Sequence, residues 1–174
     1  MAYIKAISIF SPPYNSHKVV TNSELQDDFE ESVIDIEKIA KRVGVDRRYV
    51  AGTNETATDL AYEAAIRLFK EWRIDCKSID FIIFSTQCPD YFLPSSACVI
   101  QHRLGIPTTA GAFDYDLGCS GFAYGLAIAK SFVDSGYAHN VLLLTGDTLT
   151  KYLHPSDKNR VLFGDGATAT IISI

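Results

Sequence analysis

Apolar and polar positions change their spacing repeatedly along the chain, and each change marks an element. Phe81-Ile82-Ile83-Phe84 and Val141-Leu142-Leu143-Leu144 are short unbroken apolar runs, as in strands buried on both faces. Tyr3–Phe10 and Ala167–Ile174 read as further strands. Phe113, Tyr115 and Leu117 alternate with Asp114 and Asp116, which predicts a half-buried strand. Between these runs the period is helical. Over Thr56–Trp72, the residues Leu60, Ala61, Ala64, Ala65, Leu68, Phe69 and Trp72 share one face. A helix from about Asp35 to Val43 has Gly44 as its stop, and Ser95–Leu104 is capped by Ser95 and stopped at Gly105. Ser23-Glu24-Leu25 opens a short helix that is acidic at its start, and the prolines of residues 11–16 make a loop. Alternating strands and helices predict a layered α/β fold with a mostly parallel sheet.

The stretch Phe113–Phe122 organises the rest. Its strand ends at Gly118, where a tight bend is expected, and a helix of small and apolar residues runs from Ser120 to about Gly136. Cys119 sits at the junction. A thiol beside a helix N-terminus faces unpaired N–H groups and the positive end of the dipole, which favour the nucleophilic thiolate. The other reading of a lone cysteine is a buried structural one. Lys130 is the one charge between Gly121 and Phe132, so this helix is expected to be buried on all sides. Gly121, Gly125 and Ala129 form a smooth stripe that lets another backbone approach. A buried helix with a cysteine at its tip suggests a deep site reached by a tunnel, suited to a long thioester.

Composition narrows the classes. The formal net charge of −5 gives a nucleic-acid role no electrostatic support. No apolar run approaches the roughly 20 residues of a membrane span, and the N-terminus lacks the features of a signal peptide. Cys76, Cys88, Cys98 and Cys119 have neither zinc-type nor redox-type spacing, which predicts a reduced, cytoplasmic protein. Phe163-Gly164-Asp165-Gly166-Ala167 reads as a tight turn whose aspartate bonds its own backbone, or as a site element. Tyr91–Ala97 either lines a pocket or packs as an ordinary loop.

Four segments carry a resemblance: Asn54–Ala61, Leu93–Cys98, Gly118–Phe122 and Phe163–Ala167. In this order and spacing they resemble the first half of a β-ketoacyl-acyl-carrier-protein synthase III, of the thiolase-like superfamily. The resemblance implies an α-β-α layered fold with a mixed, mostly parallel five-stranded sheet, of which residues 1–174 are the N-terminal half. It implies that Cys119 takes an acyl group from a thioester and that malonyl-carrier protein then condenses with it after decarboxylation. The Cys119 N–H would be one oxyanion donor. The second donor and the family's His and Asn would lie in a second half, absent from this chain. His17, His102, His139 and His154 match no catalytic position and are expected on the surface or in loops.

By the same resemblance, Leu93, Arg42 and Arg160 contact substrate, Leu93 standing where one subunit closes its partner's acyl pocket. Lys38 replaces a tryptophan that stacks on the adenine of coenzyme A, which weakens the case for a coenzyme A primer. Thioesters of coenzyme A or phosphopantetheine are substrates, with no cofactor and no metal. A homodimer is expected through Ala110–Leu117, which would join two sheets. Lys38, Lys41, Arg42, Arg47 and Arg48 either hold an acidic carrier protein or form a solvated face. Alternatives are a same-fold acyltransferase that does not decarboxylate, and an incomplete subunit or binding module that needs a second chain. If a partner layer is missing, one flank of the helix after Cys119 should be exposed.

Overall fold

The computed structural model describes residues 1–10, 18–29 and 35–174, Lys18 by its backbone alone. The predicted loop over residues 11–16 and His17 therefore lie outside the described residues. In chain order the elements are β1 (Tyr3–Phe10), β2 (Lys18–Thr21), α1 (Asn22–Gln26), α2 (Ile36–Val43), β3 (Arg47–Val50), α3 (Ala57–Trp72), β4 (Phe81–Ser85), α4 (Ser96–Leu104), β5 (Gly111–Tyr115), α5 (Gly121–Asp134), β6 (Asn140–Asp147) and β7 (Gly166–Ser173). Short 3₁₀ turns lie at Cys76–Ser78, Leu149–Lys151 and Lys158–Val161. The chain forms two compact units, one of Met1–Phe10, Thr56–Asp147 and Ala167–Ile174, the other of the described residues among 11–55 and 148–166.

The first unit is built on a five-stranded sheet of order β1-β7-β6-β4-β5. β4 pairs in parallel with β5 and β6, and β1 pairs antiparallel with β7, so the sheet is mixed as expected. Alternation along the strands splits the core between two faces. Ile83, Val141, Leu143 and Ile172 pack with Ala129 and Val133 of α5, joined by Phe81, Phe113 and Tyr115. The alternate positions Ile82, Phe84, Leu142 and Leu144 are also fully buried, on the face that carries α3 and α4. The helix ends are where the caps place them. Thr56 and Asp59 form a capping box at α3, Ser95 accepts the Cys98 N–H at α4, and Gly105 closes α4 at φ 66°.

The second unit pairs β2 with β3 antiparallel, Val19 opposite Tyr49 and Val20 opposite Arg48. Val20, Leu25, Ile36, Ala40 and Val161 make its core. This antiparallel pair is absent from the sequence reading. Each strand has only four residues, and the charged Arg47-Arg48 start conceals β3. β6 also runs beyond the expected Val141–Leu144, through the polar Thr145-Gly146-Asp147.

Candidate active site

The end of β4 braces the loop that carries Cys119. The buried Ser85 hydroxyl donates to the Leu117 carbonyl at 2.9 Å, and the Thr86 N–H donates to the Tyr115 carbonyl at 3.2 Å. From the other side, the Tyr115 hydroxyl donates to the Gly121 carbonyl at 2.5 Å. A 3₁₀-type bond from the Gly121 N–H to the Gly118 carbonyl, 2.8 Å, closes the turn around Cys119. Gly118 is not left-handed, so the expected backbone reason for its glycine does not apply. A Cβ there would instead press on the Gln87 side chain, 2.5 Å from Oε1.

Cys119 stands two residues before the first residue of α5, after the strand and before the helix as predicted, and it is exposed. Within this chain it is therefore not a buried structural cysteine. Within this chain α5 is not buried on all sides, and one flank is exposed, as expected where a partner layer is missing. α5 buries only Gly121, Gly125, Ala129 and Val133, because the sheet covers one flank. The small-residue stripe does what its spacing predicts: a Cβ on Gly121 would overlap Ser85, and one on Gly125 would come within 2.5 Å of Leu143 Cδ1. Phe122 and Tyr124 lie on the exposed flank. Leu93 is 86% exposed, beside the exposed Tyr91 and Phe92. Asp90 ties the loop down, accepting from the Thr56 and Thr58 hydroxyls at 3.1 and 2.7 Å.

Behind the brace stands Asp147, at the end of β6. Its Oδ1 accepts from the Gln87 N–H at 2.7 Å and from the Thr86 hydroxyl at 3.1 Å. Burial pushes its carboxyl above the usual carboxylate range, against these bonds and those from Cys88, which favour the charge. Ser85, Thr86, Gln87 and Asp147 are absent from the sequence reading. Their signal was the polar exit from each of two apolar runs, at the strand ends where open α/β sheets place their sites. Asp114 is also more than a solvent-facing strand residue: it accepts the Ala97 N–H of α4 at 2.9 Å.

The second unit holds the expected basic residues. Arg42 lies exposed on α2 with Lys38 and Lys41, along a shallow groove shared with Asp35 and Glu37. Arg160 is already engaged: it donates to the Pro155 carbonyl at 2.6 Å and to Asp28 at 2.7 Å, with its guanidinium 5.7 Å from the Phe29 ring centre. It lines a cavity of about 190 Å³ with Val20, Leu25, Arg48, Val50 and Phe163. Arg48 leaves the exposed basic run, since it is buried and donates to the carbonyls of Val20 and Val161 and to Asn22 Oδ1. Burial, then the nearby Arg160 charge, lowers its pKa. Asp165 likewise corrects the turn reading. Instead of bonding its own backbone, its buried carboxylate accepts from Ala51 N–H at 2.8 Å and from the Thr150 N–H and hydroxyl at 3.1 and 2.6 Å.

His102, His139 and His154 are exposed, as expected. The four cysteines are free thiols. Among the described residues, no cluster of three or more metal-ligand side chains occurs, and no helix is long and apolar enough to cross a membrane.

Comparison with known proteins gives the same picture from another side. The family model for 3-oxoacyl-[acyl-carrier-protein] synthase III matches residues 113–174. A β-ketoacyl-[acyl-carrier-protein] synthase III of Xylella fastidiosa is 42% identical over 162 residues, which is 91% of this chain and 48% of that protein. A putative 3-oxoacyl-[acyl-carrier-protein] synthase 3 of Campylobacter jejuni is 37% identical over 98% of this chain and 48% of its own length. A crystal structure of a 3-oxoacyl-(acyl-carrier-protein) synthase III superposes with a TM-score of 0.91 at 50% identity, over 99% of this chain and 50% of that one. The corresponding enzyme of Aquifex aeolicus gives 0.89 at 33% identity, over 100% and 54%. The fold is thus thiolase-like, and the chain spans about half the length of the relatives it matches.

Proposed function

We propose, from the premise that the chain is a relative of the β-ketoacyl-[acyl-carrier-protein] synthase III proteins over about half their length, that it supplies the cysteine-bearing N-terminal half of a condensing enzyme. Cys119 is the acyl acceptor. Cys119 gives up its proton and its thiolate attacks the carbonyl of an acyl thioester. The new S–C bond forms, the acyl carbon's bond to the donor sulfur breaks, and the donor leaves as a thiolate that takes up that proton. Malonyl-carrier protein then loses CO₂, its carbanion attacks the acyl carbon, and the C–C bond replaces the bond to Cys119. Splitting one hard step into two is the gain of nucleophilic catalysis. The Cys119 N–H is one oxyanion donor, and the other donor, His and Asn belong to a second half. The exposed Phe122 and Tyr124 suit burial against that further layer.

The observation that carries this reading is an exposed cysteine held on a strand-to-helix turn by Ser85, Thr86 and Tyr115. Leu93, Arg42 and Arg160 contact substrate, the engaged Arg160 through its cavity face. The protein works in the cytoplasm on coenzyme A or phosphopantetheine thioesters without cofactor or metal. It is a homodimer joined through β5, an edge strand of this sheet that would otherwise present unpaired backbone groups. The test is full-length protein with acyl thioester and malonyl-carrier protein. A 3-oxoacyl product with one CO₂ released for each condensation supports the reading. Acyl transfer to another acceptor without CO₂ release means the non-decarboxylating acyltransferase, and loading without turnover means an incomplete subunit.

A further inference from the structure

Gln87 combines a fixed backbone with a free amide. Its N–H is bonded to Asp147 Oδ1 at 2.7 Å, yet its side chain is exposed and bonds no other described residue. Every other polar group of the brace around Cys119 is engaged: the Ser85 hydroxyl, the Thr86 N–H and hydroxyl, and the Tyr115 hydroxyl. The amide lies against Gly118, the residue before Cys119. A Cβ at Gly118 would stand 2.5 Å from Gln87 Oε1, 3.2 Å from Cδ and 3.6 Å from Nε2. Gly118 has no left-handed backbone, and a side chain there would displace this amide.

A glutamine does not titrate, so it cannot serve as the base for Cys119. It offers two N–H donors and a carbonyl acceptor, the complement of another amide. An unbranched acyl chain has no polar group to meet it. The pantetheine arm does: its first amide lies two carbons from the thioester sulfur, close to the carbonyl that Cys119 attacks. Resting on the acyl-transfer reading, we propose that Gln87 is a specificity-determining residue that hydrogen-bonds an amide of the pantetheine arm while the acyl group passes to Cys119.

The test uses full-length protein, and two thioesters of one acyl group: an acyl-pantetheine and an S-ethyl thioester without amides. The readout is the rate at which the Cys119 adduct appears by intact mass. Gln87→Ala and Gln87→Met should each slow loading from acyl-pantetheine roughly five- to tenfold, the worth of one hydrogen bond, and leave S-ethyl loading unchanged. Methionine keeps the bulk against Gly118 and lacks the amide. Full rate in Gln87→Met, equal slowing with both thioesters, or no change in either variant would overturn the proposal. If the parent protein forms no adduct with either thioester, the acyl-transfer reading fails and takes the proposal with it. If the parent loads and the variants load alike, only the role of Gln87 fails.

Discussion

Ser85 holds Leu117: its buried hydroxyl donates to the Leu117 carbonyl at 2.9 Å, two residues before Cys119. The same side chain fills the space that a Cβ on Gly121 would need. One residue at the end of β4 thus fixes the loop both before and after the cysteine. Ser85→Ala should cost about 1 kcal/mol of stability, the usual net worth of such a bond, measured by chemical denaturation. It should also slow acyl loading of Cys119. A denaturation midpoint and loading rate equal to the parent's would contradict this brace.

Asp147 gives a pH signature. Burial raises its carboxyl in the fold, and the hydrogen bonds from Gln87, Thr86 and Cys88 offset only part of that. A folded pKa above the unfolded one favours the protonated form in the native state. The resulting stability is fully present below the unfolded value, about 3.9, and is lost as pH rises through the folded value. Asp147→Asn removes this titration. Its melting temperature relative to the parent should rise between pH 4 and pH 7, followed by calorimetry across that range. A difference that stays flat, or that falls with pH, would count against the burial argument.

The basic face of the second unit is smaller than the sequence suggests. Lys38, Lys41, Arg42 and Arg47 are exposed, whereas Arg48 is spent inside, on two carbonyls and Asn22. If the exposed residues steer an acidic carrier protein, Lys41→Glu with Arg42→Glu should raise its KM and flatten the salt dependence of kcat/KM. Arg48→Ala should instead lower stability. An unchanged carrier KM in the double variant would return this face to plain solvated surface.

Local chemistry was legible in the sequence, and long-range partners were not. Thr56 with Asp59, Ser95, Gly44 and Gly105 mark helix ends because a cap is made within one turn. Cys119 was legible because strand, turn and helix around it are contiguous. Asp165 was misread because its three donors come from Ala51 and Thr150, far off in the chain. Arg48 was misread because the carbonyl of Val161 that shelters it lies 113 residues on. The extent to which α5 is covered was legible only in part. The apolar sequence of α5 records that the helix suits burial, while this chain buries only its Gly121, Gly125, Ala129 and Val133.

The most direct measurement is intact mass after incubation of full-length protein with an acyl thioester, for the parent and for Cys119→Ala. Cys119 is exposed at the strand-to-helix turn, while Cys88 is buried and its N–H is bonded to the Thr86 hydroxyl. The account predicts one acyl group on the parent and none on Cys119→Ala. An adduct of the same mass and extent on Cys119→Ala would contradict it and move the nucleophile to another thiol, of which the exposed Cys98 is the first to test.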